Sequence, residues 1–215
     1  MIPKIIHQLW VGPKKPPLKE IQTWKDMNPT WDHMFWTDQS IKEHFPNGFY
    51  NQKQYDDMPE WNGKCDIARY EILQKFGGFF IDADSIALRP LDDCLLENDS
   101  FSCYESEWLR GNLIAAGYLA CTKNNKLMDY MVNKLHSFSI ENKKLWEGDL
   151  TAWKTVGPVF LTISVHESHH NNISVYPSHY FIPRHYNGLE YTGPLKPYCT
   201  QLWGSTPQSA FKYEN

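Results

Sequence analysis

The sequence predicts an α/β fold with a mixed, mainly parallel central sheet flanked by helices. Short apolar segments with strand character alternate with segments of helical periodicity through the first half of the chain. Hydrophobic residues make up 41% of the 215 residues, which is enough to form a sizeable core. A glycine pair, Gly77-Gly78, connects the clearest helix directly to the clearest strand. We therefore expect residues 1–215 to form one domain.

Each element follows from local signals along the chain. An apolar segment at 2–10, which ends before Gly12-Pro13, predicts a first buried strand. Prolines and Asn28-Pro29 then delimit helices, because the residue before a proline disfavours helical geometry. The expected helices cover 18–27, 38–45, 62–76, 124–137 and 156–167. The further expected strands cover 34–36, 79–81, 100–104 and 112–121. We expect residues 47–60 to be irregular and residues 173–215 to form short strands and loops.

Segment 62–76 has the strongest helical pattern. Apolar residues recur at positions 65, 68, 72 and 76, and Gly77 suits the C-cap. Asp66 and Arg69 are three residues apart and therefore share a helix face. Spacing alone is equally consistent with a surface ion pair of little energetic value. The Gly-Gly turn folds this helix back against the next strand, so its polar face can border whatever lies at the end of that strand.

Composition excludes several classes of function. The net charge of -4 and the pI near 6.1 offer no basic surface for nucleic acid and no polybasic membrane patch. No apolar run approaches the roughly 18 residues that span a bilayer. The five cysteines lack CxxC spacing, and their odd number favours free thiols in a reducing compartment. We therefore expect no membrane span and a cytoplasmic location.

The most informative segment is Phe79-Phe80-Ile81-Asp82-Ala83-Asp84. Three apolar residues form a short strand, and two carboxylates follow one residue apart, on the same side of an extended chain. Two negative charges held this close repel each other unless a cation lies beside them. The pair therefore predicts a divalent cation that binds oxygen ligands and carries the phosphates of a nucleotide.

This arrangement resembles glycosyltransferase family 32, the DXD-containing sugar transferases that include the initiating mannosyltransferases. It is more distantly similar to the clostridial glucosylating toxins. The resemblance covers roughly residues 3–160. Besides the acidic motif, the matching segments are Ile5–Gly12 (IIHQLWVG), Trp24, Asn28-Pro29 with Trp31, Gly111–Ala116 (GNLIAA) and Thr155–Pro158 (TVGP).

The resemblance implies a GT-A type nucleotide-binding fold, a nucleotide-sugar donor and a Mn²⁺ (or Mg²⁺) cofactor. It further implies a donor-binding part at about 1–122 and an acceptor or closing part at about 123–215. The metal would be held by Asp84 and Asp82, and catalysis would depend on these two residues and Arg69. The donor-binding residues implied by position are Gln8, Trp10, Asp66, Arg69, Asp82, Asn112, Trp203 and Ser205. Trp10 can equally be a core residue, and Asn112 can cap a turn.

The C-terminal segment departs from the family. Where the family has a metal-binding histidine, this chain has Gln201, in the segment Thr200–Thr206. A carboxamide oxygen can bind Mg²⁺ or Mn²⁺, although more weakly. His185, His179 or water are the alternatives for the third position. The pair His169-His170 has the composition of a metal site but lies in a polar turn, which is more typical of surface histidines.

By resemblance, we expect transfer with retention of configuration through same-face attack by an acceptor hydroxyl, and no residue can be assigned as a covalent nucleophile. Glu105, Glu107 and Asp149 are candidates for acceptor contacts. The donor can be a UDP- or GDP-sugar. The acceptor would be a glycan or glycoconjugate, such as a surface or capsular polysaccharide.

Two other functions remain open. Segment 80–86 also resembles the nucleophile strand of haloacid-dehalogenase-type phosphatases, in which the first aspartate attacks phosphate. That motif normally lies close to the N-terminus, and Ile86 departs from its usual Thr or Val. The third interpretation is a nucleotide-sugar or glycan-binding module that has lost activity, which the Gln201 substitution allows.

Overall fold

The computed structural model describes residues 1–137, 152–169, 172–204 and 206. Within them, the strands are β1 Ile5–Leu9, β2 Asp32–Trp36, β3 Gly78–Ile81, β4 Ser85–Ala87, β5 Ser100–Cys103, β6 Tyr118–Cys121, β7 Ile173–Tyr176 and β8 Cys199–Gln201. The α-helices are α1 Leu18–Met27, α2 Asp38–His44, α3 Gln52–Asp57, α4 Trp61–Phe76, α5 Glu107–Arg110, α6 Lys126–His136, α7 Ala152–Thr155 and α8 Pro158–Glu167.

The main sheet has six strands in the order β2-β1-β3-β6-β5-β7. Strand β1 pairs in parallel with β2 and β3, and β5 pairs in parallel with β7. Strand β6 runs antiparallel to both of its neighbours, β3 and β5. The expected mixed, mainly parallel sheet is therefore confirmed. A separate ribbon of β4 and β8 lies at the carboxyl end of β3.

Apolar residues on the two faces of the sheet form two cores. Phe80 and Leu119 contribute to the core under α4, α6 and α8. Phe79 and Ile81 point to the opposite face, where they pack with α1 and with Phe181 from the C-terminal segment. This alternation follows from the period of two along a strand, and it explains why β3 is buried on both faces.

The connection from α4 to β3 requires both glycines. Gly77 and Gly78 have φ values of 66° and 96°, in the region that favours glycine. A Cβ on Gly78 would lie 2.7 Å from the carbonyl oxygen of Ile5 and 2.9 Å from Nε2 of His7. His7 holds this turn in place, because its Nε2 donates to the carbonyl oxygen of Gly77 at 2.8 Å. Its Nδ1 accepts from the indole of Trp36 at 3.1 Å.

Two sequence expectations were wrong in part. Residues 47–60 contain α3, whose start is held by the buried Glu71 carboxylate. That carboxylate accepts from the backbone N–H groups of Tyr50 and Asn51 at 2.7 and 2.6 Å. Segment 112–121 is a strand only from Tyr118 onward, because the residues before it turn towards Arg69 and Asp82 instead of pairing continuously with β5.

Candidate functional site: the acidic end of strand β3

The site begins with an ion network between α4 and the end of β3. Arg69 donates through Nη2 to Oδ1 of Asp82 at 2.7 Å and through Nη1 to Oδ1 of Asp66 at 3.1 Å. Its Nη1 also donates to the carbonyl oxygen of Ala116, and its guanidinium stacks on the ring of Phe80 at 4.7 Å. The arginine side chain is only 4% exposed. The Gly-Gly turn therefore does bring the polar face of the helix to the carboxylates.

Asp84 is held from the other side by the C-terminal segment. Its Oδ1 accepts from Nε2 of Gln201 at 2.9 Å, and its Oδ2 accepts from the backbone N–H of Gly204 at 2.8 Å. Pairing of β4 with β8 aligns Ser85 with Gln201, which explains how residues 117 positions apart meet here. Among the described residues, no Lys or Arg forms an ion pair with Asp84.

The amide of Gln201 has a defined orientation. Its nitrogen faces both carboxylates, at 2.9 Å from Asp84 and 3.5 Å from Asp82. Its oxygen accepts from the hydroxyl of Tyr118 at 2.5 Å, a buried contact. Because the nitrogen and not the oxygen faces the carboxylates, binding by Gln201 of a metal held between them would require the amide to turn.

The electrostatics of the site show a deficit of positive charge. Burial, and then the neighbouring Asp82, raise the pKa of Asp84 to about 6. Burial also raises the pKa of Asp66 to about 7, although Arg69 acts against this shift. Burial disfavours the guanidinium charge, but Asp82 and then Asp66 keep the pKa of Arg69 above its usual value. Among the described residues, one cation thus serves two carboxylates, and the third, Asp84, has no cationic partner.

The donor set fits a hard divalent cation. Carboxylate oxygens are the ligands that Mg²⁺ and Mn²⁺ prefer, and a cation here would relieve the repulsion that raises the pKa of Asp84. Asp84 and Asp82 are the residues that would hold it. Among the described residues, no group of three or more His, Cys, Asp or Glu side chains converges in a manner suited to a metal.

Two glycines keep the site open. A Cβ on Gly117 would lie 2.3 Å from Oδ2 of Asp82, and a Cβ on Gly157 would lie 2.8 Å from Oδ2 of Asp66. Gly157 is the N-cap of α8, so the Gly-Pro turn noted in the sequence places the start of this helix against Asp66. Any larger residue at either position would displace the carboxylate.

Two of the other predicted donor-binding residues, Gln8 and Trp10, lie in strand β1 and directly after it. Gln8 is buried in β1, where its Oε1 accepts from Nε2 of His33 at 2.8 Å. Trp10 follows β1 and is partly buried, with its indole donating to the carbonyl oxygen of Lys14 at 2.7 Å. Both share the sheet face of Ile6, by the period of two along the strand. Their contact with a nucleotide stays a prediction.

Asn112 and Trp203 differ in their relation to the aspartates. Asn112 is exposed and borders a cavity of about 280 Å³ with Tyr104 and Val175, and no described contact links it to Asp82 or Asp84. Trp203 directly precedes Gly204 and has a φ of 56°, which is unusual for a residue other than glycine and is often found at functional sites. Ser205 lies outside the described residues.

The alternative metal ligands and acceptor candidates are placed as follows. His185 lies beside Glu105, with 3.5 Å between Nε2 and Oε1. His179 stacks on Tyr191 at 4.1 Å between ring centroids. Glu107 accepts from the N–H and hydroxyl of Ser178. His169 is exposed, whereas His170 and Asp149 lie outside the described residues.

Sequence reasoning missed three contributors to the site: Tyr118, Gly117 and the backbone of Gly204. Tyr118 looks like an ordinary apolar strand residue, and only its contact with Gln201 reveals a polar role. A backbone N–H group is present in almost every residue, so the sequence gives no sign that the one of Gly204 takes part in the site. Gly117 had a detectable signal, since a glycine directly before an apolar strand often marks a close approach.

Comparison with known proteins agrees with this geometry. Residues 17–101 match the family described as "Glycosyltransferase sugar-binding region containing DXD motif". Inositol phosphoceramide mannosyltransferase 3 of Schizosaccharomyces pombe is 30% identical over 169 residues, which cover 75% of this chain and 44% of that protein. The chain thus spans less than half the length of this relative.

Solved structures show the same fold. The PaToxG glycosyltransferase has a TM-score of 0.58 at 19% identity, covering 77% of this chain and 69% of that one. The UDP-bound glycosyltransferase domain from the YGT toxin has a TM-score of 0.52 at 11% identity, covering 81% and 79%. Among the described residues, no helix combines the length and apolarity needed to cross a lipid bilayer. The resemblance predicted from the sequence is confirmed: the chain is similar to the DXD-containing glycosyltransferases over residues 17–101 and has the GT-A fold.

Proposed function

We propose that this protein transfers a sugar from a nucleotide-sugar donor to a hydroxyl group of a glycan or glycoconjugate acceptor, with retention of configuration and with bound Mn²⁺ or Mg²⁺. The observation that carries the proposal is the pair Asp82 and Asp84 at the carboxyl end of β3, with Asp84 buried and without a cationic partner among the described residues. In open α/β sheets, ligands bind outside the carboxyl ends of the strands.

The residues of the site have separable roles. Asp84 and Asp82 would hold the cation, which supplies electrostatic stabilisation of the diphosphate leaving group. Arg69 fixes the orientation of the Asp82 carboxylate through the 2.7 Å contact. Asp66 is positioned by the same guanidinium to accept hydrogen bonds from hydroxyl groups of the donor. Gln8, Trp10, Asn112, Trp203 and Ser205 complete the proposed donor site.

The acceptor side and the donor identity are parts of the same proposal. We assign donor binding to about 1–122 and acceptor binding or closing to about 123–215. The relative named a mannosyltransferase supports a mannosyl donor, whereas the UDP-bound neighbour supports a uridine nucleotide. Both UDP- and GDP-sugars therefore belong in the first screen. The cytoplasmic location stays a prediction.

A thermal-shift screen with UDP, GDP and their sugars, each with and without Mn²⁺, tests the proposal. A ligand that prefers the native state raises the melting temperature, and the rise should require the metal. The active donor should then be hydrolysed slowly in the presence of Mn²⁺. Asp84→Asn should lower this hydrolysis by about 100-fold or more, since it removes a group that positions stabilising charge.

Asp93→Asn is the matched control, because Asp93 is 74% exposed and pairs with Lys4 at the surface. It should leave hydrolysis and Mn²⁺ affinity unchanged. Full activity of the Asp84→Asn protein would refute the metal assignment. Hydrolysis of p-nitrophenyl phosphate, with no action on nucleotide sugars, would favour the phosphatase interpretation. Donor binding without turnover would favour an inactive module, while the family match favours the transferase.

A further inference from the structure

A second polar cluster lies next to the aspartates and shares only Trp203 with the proposed donor site. It consists of Glu105, Arg110, His185, Tyr186 and Trp203, and is called the Glu105 cluster below. Trp203 links the two sites: its ring lies 5.1 Å from that of His185, and the N–H of the following residue, Gly204, donates to Asp84. The cluster therefore borders the place where a transferred sugar would have to be received.

The Glu105 carboxylate is nearly buried, at 12% exposure, yet it accepts no hydrogen bond from the described residues. Neither of its two basic neighbours, Arg110 and His185, forms a hydrogen bond with it. Oε1 lies 3.6 Å from Nε of Arg110 and 3.5 Å from Nε2 of His185, each beyond normal hydrogen-bond length. A buried carboxylate normally has donors within reach, so this one has unused capacity to accept.

His185 has the same deficit. The residue is 5% exposed, and its Nδ1 donates to Oδ1 of Asn187 at 3.0 Å, because an amide oxygen can only accept. The deficit is at the other ring nitrogen, Nε2. Among the described residues it has no hydrogen-bond partner, and it faces the Glu105 carboxylate. Two largely buried polar groups thus lie 3.5 Å apart without a hydrogen bond between them, and Nε of Arg110 lies 3.6 Å from Glu105.

The surroundings suit a sugar ring. Tyr186 stands edge-on to Trp203 at 5.4 Å, and its hydroxyl accepts from Nη2 of Arg110 at 3.0 Å. The arginine in turn lies 5.1 Å over the ring of Trp153. Aromatic faces of this kind pack against the C–H face of a pyranose, while acceptors at the ring edge bind its hydroxyls.

We propose that the Glu105 cluster is the acceptor subsite, in which Glu105 accepts hydrogen bonds from hydroxyl groups of a neutral pyranoside and Nε2 of His185 forms a hydrogen bond with one of them. The inference rests on the proposed function and adds to it the location and the chemical class of the acceptor. A neutral ligand is favoured over an anionic one, because the one nearby cation, Arg110, already faces the carboxylate of Glu105 within the described residues. An added anion would meet that carboxylate at close range.

The test uses the full chain with Mn²⁺ and the nucleoside diphosphate that raised its melting temperature. Methyl α-D-mannopyranoside and methyl α-D-glucopyranoside are titrated by NMR, and the ¹⁵N signal of His185 Nε2 is followed in the wild-type protein. That signal should shift on binding, because Nε2 gains a hydrogen-bond partner. Glu105→Gln should weaken binding of the pyranoside by about tenfold or more, the scale of a hydrogen bond to a charged group. The control Glu97→Gln, a change of the same type at an exposed site, should leave binding of the pyranoside unchanged.

The outcomes separate the two proposals. Absence of nucleoside diphosphate binding would overturn the proposed function and this inference with it. Nucleoside diphosphate binding with no binding of either pyranoside, or with an unmoved His185 signal, would overturn this inference alone. Equal weakening by the two glutamine variants would also overturn it. Mannose 6-phosphate that binds about tenfold more tightly than the neutral pyranosides would contradict the neutral class.

Discussion

Replacing Arg69 with lysine tests whether the guanidinium holds the site together. The arginine contacts Asp82 at 2.7 Å and Asp66 at 3.1 Å, and it also donates to the Ala116 carbonyl. A lysine ammonium is a point charge and can keep one of the two carboxylate contacts, but it cannot span both. Each charge-assisted hydrogen bond contributes roughly 1.5–3 kcal/mol, so we expect the free energy of unfolding to fall by about 2–4 kcal/mol.

The assay is urea unfolding at pH 7.5, followed by circular dichroism. Arg89→Lys is the matched control, because Arg89 pairs with Asp92 at 2.8 Å near the surface and such pairs contribute about 1 kcal/mol or less. Binding of Mn²⁺ and nucleoside diphosphate is measured on the same samples. It should weaken in the Arg69→Lys protein, since Asp82 loses its orientation. Equal stability losses in the two variants would refute the reasoning.

Three other predictions follow from the site and its supports. Gly117→Ala should lower donor hydrolysis by displacing Asp82, whose Oδ2 would lie 2.3 Å from the new Cβ, and normal kinetics would show that the carboxylate can move without consequence. Burial lowers the pKa of His7 from 6.5 to about 4. The unfolded chain therefore binds the proton first, and about 3 kcal/mol of stability should be lost as pH falls from 6.5 to 4. His7→Gln should make the decline in urea-unfolding free energy shallower over this range; an unchanged slope would exclude His7 as its cause. Trp10→Ala should weaken nucleotide binding by about 1–3 kcal/mol in calorimetry, the scale of base stacking. The control Trp108→Ala, at an 88% exposed tryptophan, should leave nucleotide binding unchanged. Equal nucleotide affinities of the two variants would show that Trp10 does not line the pocket.

Local sequence patterns were sufficient to predict the helices and strands whose own residues mark their type and their ends. Helix α1 was predicted with the bounds that the structure has, Leu18–Met27, because prolines delimit both of its ends. The unit of α4, Gly77-Gly78 and β3 was predicted because helical periodicity, a glycine C-cap and an apolar strand follow each other without interruption. Helix α3 was missed, since its start depends on Glu71 from another helix.

The sequence by itself therefore determined the acidic motif, the helix that folds back on it, and the resemblance to the DXD-containing glycosyltransferases. Only the tertiary structure decided that Gln201 directs its nitrogen at the aspartates and that Glu105 meets His185. The physical reason is that periodicity reports which face of an element is buried, whereas partners 80 or 117 positions apart are chosen by how the elements pack.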